Sequence, residues 1–316
     1  MQTAAQSCPI PTISVVSPVY GCRGCLEELV DSLDAQVRQL TTDFEVILVD
    51  DASPDQAWDR IRELAMTRPW LRGVRLSRNF GQHSAISAGI ELARGEWVVV
   101  MDCDLQDPPS AIPTLFQTAI DGGFDTVFAQ RLNRKDSLPK RLASWGFFKL
   151  LAWLTNIPQD SSTANFGVFH RKVIDAVRLM PERDRCFPLM VKWSGFRSTA
   201  VPVEHARRSE GASGYNLRKM IKLALGIALS YSEKPLRMVA GAGVAAALAA
   251  FLMVGYSIFR WLSGDVAVAG FTSIIASLWL VGGLILFSLG IVGLYVGQVF
   301  RNVQGRPSSI ISESIN

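Results

Sequence analysis

Neither glycine-rich phosphate loop is present: no GxGxxG follows the first apolar strand and no GxxxxGK(S/T) occurs anywhere, so a Rossmann dinucleotide site and a P-loop are both disfavoured. Excess charge is also scarce. The net charge is only +4 over 316 residues, which gives no support to nucleic-acid binding. The first dozen residues lack both a basic n-region and an apolar h-region, so no secretory signal is read there and the head is expected in the cytosol. The five cysteines (Cys8, Cys22, Cys25, Cys103 and Cys186) are then expected to be unbridged. Cys22-Arg-Gly-Cys25 has redox-motif spacing, but no metal-type partner pair follows it, and it reads as an ordinary loop.

Charge is missing altogether from Met238 to Phe259 and from Val266 to Phe300. Each run meets the roughly 18 to 20 apolar residues that a helix needs to cross a bilayer. The pattern predicts a two-helix transmembrane hairpin at 236–301. Lys234 and Arg237 precede it and Arg301 and Arg306 follow it, while the connecting loop holds only Arg260, balanced by Asp265. The positive-inside rule then puts the head and both termini in the cytoplasm of an inner-membrane, multi-pass protein. The tail at 302–316 is short and polar and is assigned no fold.

What is present begins with Val98-Val-Val-Met-Asp-Cys-Asp-Leu-Gln-Asp-Pro-Pro109, an apolar run that ends in Asp102, Asp104 and Asp107. In an open α/β sheet, ligands gather at the carboxyl ends of strands. Alternate carboxylates there can hold a hard divalent cation, Mg2+ or Mn2+, against a diphosphate. Strands are expected at Ile13–Val16, Phe44–Val49, Val74–Leu76, Trp97–Met101 and Thr126–Ala129, with helices near 25–40, 54–67 and 82–94. Ser53 is read as the N-cap of the second helix and Gly95 as the left-handed stop of the third. The alternation predicts an α/β head with a mostly parallel sheet.

Three further segments draw attention. Gln130 to Arg141 is strongly basic, and Arg207-Arg-Ser-Glu-Gly-Ala-Ser-Gly-Tyr215 has the composition of a flap over an anion. The stretch from Tyr215 reads as a basic amphipathic helix lying in the membrane interface.

Taken together, Ser17-Pro-Val-Tyr20, Val49-Asp-Asp-Ala-Ser53, Leu76-Ser-Arg-Asn-Phe-Gly81, Ala93-Arg-Gly95, Met101 to Pro109, Met180-Pro-Glu-Arg183 and Gly211-Ala-Ser-Gly-Tyr215 resemble, in order, the polyprenyl-phosphate glycosyltransferases of glycosyltransferase family 2. The resemblance covers about the first 235 residues and implies a GT-A nucleotide-sugar-binding head, here residues 1–214, followed by a juxtamembrane segment at 215–235. It implies that Pro18, Tyr20 and Asp51 line the nucleobase pocket, with Asp51 accepting from the base imide. Asp102 and Asp104 would hold the metal with Gln106 nearby, and Asp102 would also contact the nucleotide. Arg131, Lys140 and Arg141 would grip the lipid phosphate, Arg131 sharing in catalysis with Asp102 and Asp104. Arg207, Ser213 and Tyr215 would close over the donor. The chain departs from the family at Gly21-Cys-Arg23, at Asn165 to His170 and at Arg185-Cys-Phe-Pro188.

The expected activity is inverting transfer of one sugar, by default from UDP-glucose, to a polyprenyl phosphate such as undecaprenyl phosphate at the cytoplasmic membrane face. A nucleotide sugar, the lipid and the membrane are the expected partners; nucleic acid is not, and a homo-oligomer is left open. Two alternatives compete: a processive polysaccharide synthase, which lacks its usual Gln-x-x-Arg-Trp here, and a noncatalytic membrane scaffold with a sugar-nucleotide fold.

Overall fold

The computed structural model describes residues 12–131, 149, 163–183, 185–204, 232, 234–263 and 271–316. They fall into two compact units, one holding the sheet and the other the long apolar helices. In the first unit, three hydrophobic runs become strands buried on both faces: β1 (Ile13–Val19), β2 (Phe44–Asp50) and β4 (Trp97–Val100). Such unbroken Val/Ile runs suit a parallel sheet covered by helices on each side. β3 (Leu71–Leu76), β5 (Thr126–Arg131), β6 (Thr163–His170), β7 (Ser198–Val203) and β8 (Ile311–Ile315) complete an eight-stranded sheet in the order β7-β5-β6-β4-β1-β2-β3-β8. The segment β3-β2-β1-β4 is parallel throughout. Strand order reverses at β1, which lies between β2 and β4, and a crevice opens outside the carboxyl ends at such a point.

Helices follow where apolar spacing is helical. α1 (Leu26–Val37) buries Leu26, Leu29, Val30, Leu33 and Val37, the i, i+3, i+4, i+7 and i+11 positions of one face. At roughly 1.5 to 3 kcal/mol per fully buried large side chain, that stripe is what pins α1 to the sheet. α2 (Ala57–Thr67) and α4 (Ile112–Gly122) cover the sheet in the same amphipathic way. α3 (Gln82–Leu92) lies closer: a Cβ on Gly89 would stand 2.3 Å from Val16 Cγ1, so only glycine lets the helix sit against β1. That close approach places the N-terminus of α3 beside the crevice. α5 (Arg171–Arg178) and α6 (Phe187–Trp193) pack near the β6 end.

Several expected features change. α2 starts at Ala57, and Ser53 is not its cap: the Ser53 amide donates to Asp50 and its hydroxyl to Asp55, while that oxygen accepts the amide of Gly21. Gly95 is not a left-handed stop. α3 ends at Leu92, and Gly95 is required because a Cβ there would meet the Ser14 backbone nitrogen at 2.5 Å. The tail, assigned no fold from sequence, forms β8 antiparallel to β3. Glu313 there accepts from Trp58 Nε1 and pairs with Arg62 and Arg75, so an edge with open backbone groups is covered.

In the second unit, α7 (Lys234–Leu262) and α8 (Phe271–Val303) are long and apolar. Among the described residues, Leu280–Val303 passes as a membrane span by length and hydropathy, with none of it buried in the protein. Tyr295 Oη donates to the Ser232 carbonyl at 2.7 Å, tying the late part of α8 to the residues that lead into α7.

Candidate active site

The strand register sets which side chains leave the sheet together. Phe128, Gly167, Val100, Val16 and Ile47 form one row across β5, β6, β4, β1 and β2. Beyond that row, toward the carboxyl edge, come Pro18 near the end of β1 and Tyr20 just after it, Asp51 after β2, Asp102 and Asp104 after β4, and Arg131 at the end of β5. A cleft of about 350 Å³ opens there, lined by Pro18, Val19, Tyr20, Asp51, Asn79, Gly81, Gln82, Asp102, Cys103, Asp104 and Gln106. A larger, shallow depression over α4 offers no comparable group of converging carboxylates. Chemistry, not size, selects the first. The sequence-derived set Pro18, Tyr20, Asp51, Asp102, Asp104 and Gln106 is therefore brought together in one cleft. Arg131 pairs in register with Val203 and shares the edge, two strand spacings from β4, or roughly 10 Å. Lys140, Arg141, Arg207, Ser213 and Tyr215, with the 215–235 segment apart from Ser232, Lys234 and Pro235, lie outside the described residues.

Each group has an identifiable support. Tyr20 is 54% exposed beside the cleft, which leaves an aromatic face on which a flat ring can stack. Asp51 is only 2% exposed, and its two oxygens accept the amides of Phe80 at 2.7 Å and Gly81 at 2.8 Å. These amides lead into α3, whose positive end suits a carboxylate. Burial still pushes the Asp51 carboxyl above its ordinary pKa, with the two amides and Arg78 pulling against it. Asp50 is raised too, by burial first, against the Ser53 amide and Arg75. Asp55 goes the other way: burial raises it, but the Ser53 hydroxyl and the amides of Arg23 and Ala57 outweigh that. Ala52 (φ 52°) and Leu105 (φ 58°) hold left-handed backbone in the two acidic loops. Non-glycine residues keep such conformations, at about 1 to 3 kcal/mol each, where the surroundings impose them, and they cluster at working sites.

Asp102 accepts from Gln82 Nε2 at 2.6 Å, and Asp104 accepts the Gln106 amide at 3.2 Å. Both are half-buried at the cleft wall. Two carboxylates and an amide are hard oxygen donors of the kind Mg2+ or Mn2+ takes. Among the described residues no group of three or more His, Cys, Asp or Glu side chains gathers as a closed metal cage. The donor set thus suits an open divalent-cation site rather than a closed cage.

One expectation is overturned. Cys22 and Cys103 form a disulfide, with Cα atoms 6.5 Å apart. The five cysteines are expected to be unbridged, but β1 and β4 are neighbours, so the loops after them meet, while Cys25 packs at the edge of the core. Gln82 and Asn79 also line the cleft, and neither has a role expected from sequence. The Leu76-Ser-Arg-Asn-Phe-Gly81 motif was the available signal, since it runs straight into α3.

His83, the next residue after Gln82, is half-buried with its Nδ1 enclosed, and its pKa is lowered to about 4 by desolvation. The Cys186 thiol, 3.9 Å from its Nε2, is pushed up to about 11, again by burial. A neutral imidazole beside a neutral thiol is packing, not an activated nucleophile.

The sequence pattern of glycosyl transferase family 2 matches residues 14–176. The uncharacterized glycosyltransferase YkcC of Bacillus subtilis is 32% identical over 302 residues, which is 95% of this chain and 93% of that one. The undecaprenyl-phosphate 4-deoxy-4-formamido-L-arabinose transferase of Aeromonas hydrophila is 33% identical over 309 residues, covering 97% and 94%. Among solved structures, glucosyl-3-phosphoglycerate synthase from Mycobacterium tuberculosis, with Mn2+, UDP and glucosyl-3-phosphoglycerate, superposes with a TM-score of 0.50 at 18% identity. That similarity covers 70% of this chain and 80% of the synthase, and it identifies the shared GT-A fold.

Proposed function

The chain belongs to glycosyl transferase family 2, and from that premise we propose that it moves one sugar from a nucleotide sugar to a polyprenyl phosphate, undecaprenyl phosphate above all, with inversion at the sugar carbon. The observation that carries this reading is the cleft at the strand-order reversal, where an exposed aromatic ring and two cleft-facing carboxylates share one edge of the sheet with Arg131. The name of the Aeromonas relative supports the lipid acceptor. UDP-glucose is the default donor, and a nucleotide carrying 4-deoxy-4-formamido-L-arabinose, the sugar in that relative's name, is the second to try.

Tyr20 stacks on the base. Asp51 shapes the Phe80-Gly81 wall and offers remaining lone pairs toward the imide. Asp102, Asp104 and Gln106 would hold a divalent cation, which supplies positive charge to a departing diphosphate. Arg131, Lys140 and Arg141 orient the acceptor phosphate through planar or point-charge contacts, and Arg207, Ser213 and Tyr215 close over the donor. A phosphate oxygen attacks the anomeric carbon as the bond to the diphosphate breaks. No protein base is needed, because a phosphate monoester with a second pKa near 6 is already largely ionised at neutral pH. The residues then have to position and to stabilise charge.

The membrane arrangement proposed is a hairpin of α7 and α8 with the head on the cytoplasmic side. The chain leaves the head sheet, runs through both long helices and returns to the sheet as β8, which fits an even number of crossings. The test is incubation of the detergent-solubilised full chain with undecaprenyl phosphate and a panel of labelled nucleotide sugars, with Mg2+, with Mn2+ and with chelator. Labelled lipid formed only with cation is the expected result. Polymer formation, or no turnover with any donor, would replace this reading by one of its two rivals.

A further inference from the structure

The two walls of the cleft are joined by a covalent bond. Cys22 follows Tyr20-Gly21 at the end of β1, and Cys103 lies between Asp102 and Asp104 at the end of β4. Pairing between these strands stops at Val16 and Val100, and the Met101 amide donating to the Val16 carbonyl continues the ladder one step further. Beyond that step comes the Cys22–Cys103 bridge. Both chains turn sharply there, at Gly21 with φ 68° and at Leu105 with φ 58°. Left-handed leucine persists only where its surroundings hold it, and the bridge two residues earlier is one such restraint.

Resting on the donor-site reading above, we propose that Cys22–Cys103 is a redox-set strap that holds the base-stacking loop and the metal-binding loop at the spacing the donor needs. Both cysteines are nearly buried, at 7% and 6% exposure, and Cys103 lines the cleft itself. With the head facing a compartment whose thiols are kept reduced, the population of the bridge follows the local thiol–disulfide poise. A dithiol reductant opens it by two successive exchanges. Its two thiols become one disulfide, the S–S bond breaks, and Cys22 and Cys103 each gain a hydrogen. An oxidised dithiol reverses the same exchange. In the bridged form the loops are ordered before the donor arrives. In the dithiol form the donor must order them, which weakens donor binding by about tenfold, the ordinary cost of immobilising one or two side chains and a loop. The rate once donor is bound changes less. Cys25 retains a free thiol three residues after Cys22 and is not part of the strap.

The experiment takes the detergent-solubilised full chain, treats it with oxidised or reduced dithiothreitol, removes the reagent and maps disulfides by non-reducing peptide mass spectrometry. UDP binding in the presence of Mn2+ is then measured by calorimetry on each form. The expected result is a Cys22–Cys103 peptide pair only after oxidation, with UDP bound about tenfold more tightly in that form. Cys25→Ser keeps the difference, whereas Cys22→Ser and Cys103→Ser bind like reduced wild type under both treatments. Should a serine variant fail to fold, the two redox forms of the wild type still decide the matter. Equal UDP affinity in both forms, or no Cys22–Cys103 peptide after oxidation, overturns the strap and leaves the donor site standing. UDP binding by neither form overturns both.

Discussion

Two pairs of aspartates leave the same edge of the same sheet and do different work. Asp50 ends β2 and Asp51 follows it, with 0% and 2% exposure, their oxygens taking the amides of Ser53, Phe80 and Gly81. Asp102 and Asp104 follow β4, half-buried, and line the cleft. Residue type and sheet position are shared, so neither separates a structural carboxylate from a chemical one. What separates them is burial against the backbone. α3 serves both pairs: the amides leading into it hold Asp51, and its first residue, Gln82, holds Asp102.

The largest effect is expected at Asp104. Asp104→Asn keeps the shape and removes the charge, so sugar transfer is expected to fall by about 10³-fold or more, the scale of losing an electrostatic contact made in the transition state. Its thermal midpoint should stay at the wild-type value, since a half-buried polar replacement at the cleft opens no cavity. Near-normal turnover with cation still required would place Asp104 with the structural pair.

Asp51→Ala should lose stability as well as its contact with the base. Two buried amides lose their acceptor, at roughly 1 to 3 kcal/mol each, so unfolding stability drops by about 4 kcal/mol. Asp51→Asn, which keeps one acceptor oxygen, should recover part of that. Urea unfolding of the detergent-solubilised chain, followed by tryptophan fluorescence, reads both. A variant as stable as wild type would show that the Phe80 and Gly81 amides do not depend on Asp51.

The contrast explains what was legible in the sequence. Val98 to Met101 and Phe44 to Val49 announced themselves as strands because both faces are buried and nothing else tolerates such runs. Asp102 and Asp104 were legible for the complementary reason: charge directly after an apolar run has to sit at a strand end. Local rules failed where a distant segment competed. Ser53 looks like a helix cap until the Gly21 amide, 32 residues away, takes its oxygen. Cys22 reads as an unbridged loop residue because sequence shows only spacing, while the β1–β4 pairing brings up Cys103. The polar tail carried no periodicity that could reveal its partner, yet it closes the β3 edge through backbone bonds and Glu313.

His83 tests the element common to both pairs. Its folded pKa, about 4, lies below its ordinary 6.5, because burial disfavours the charged ring. Above pH 6.5 both folded and unfolded chains carry it neutral and nothing is lost. As pH falls from 6.5 toward 4 the unfolded chain takes up a proton that the folded chain refuses, and stability declines by about 3 kcal/mol in total. His83→Gln should flatten that limb. The same limb in wild type and variant would assign the acid sensitivity elsewhere.

The smallest effect is expected at Asp50, and its sign matters more than its size. Burial raises the Asp50 carboxyl above the usual 3.8, with the Ser53 amide and then Arg75 opposing. A carboxyl with a raised folded pKa favours the fold fully below its unfolded pKa, and that contribution is lost as pH rises through the folded value. At neutral pH the ionised form is therefore held at a cost. Asp50→Asn removes the cost, keeps an acceptor for the Ser53 amide and leaves Arg75 its second partner, Glu313. Stability at pH 7 should change by less than about 1 kcal/mol, as when a buried charge is replaced by a neutral group of the same shape. Wild type should gain on the variant as pH falls toward 4. A large loss at pH 7 would show that Arg75 holds Asp50 more strongly than burial opposes it, and that the β2 pair is built on charge after all.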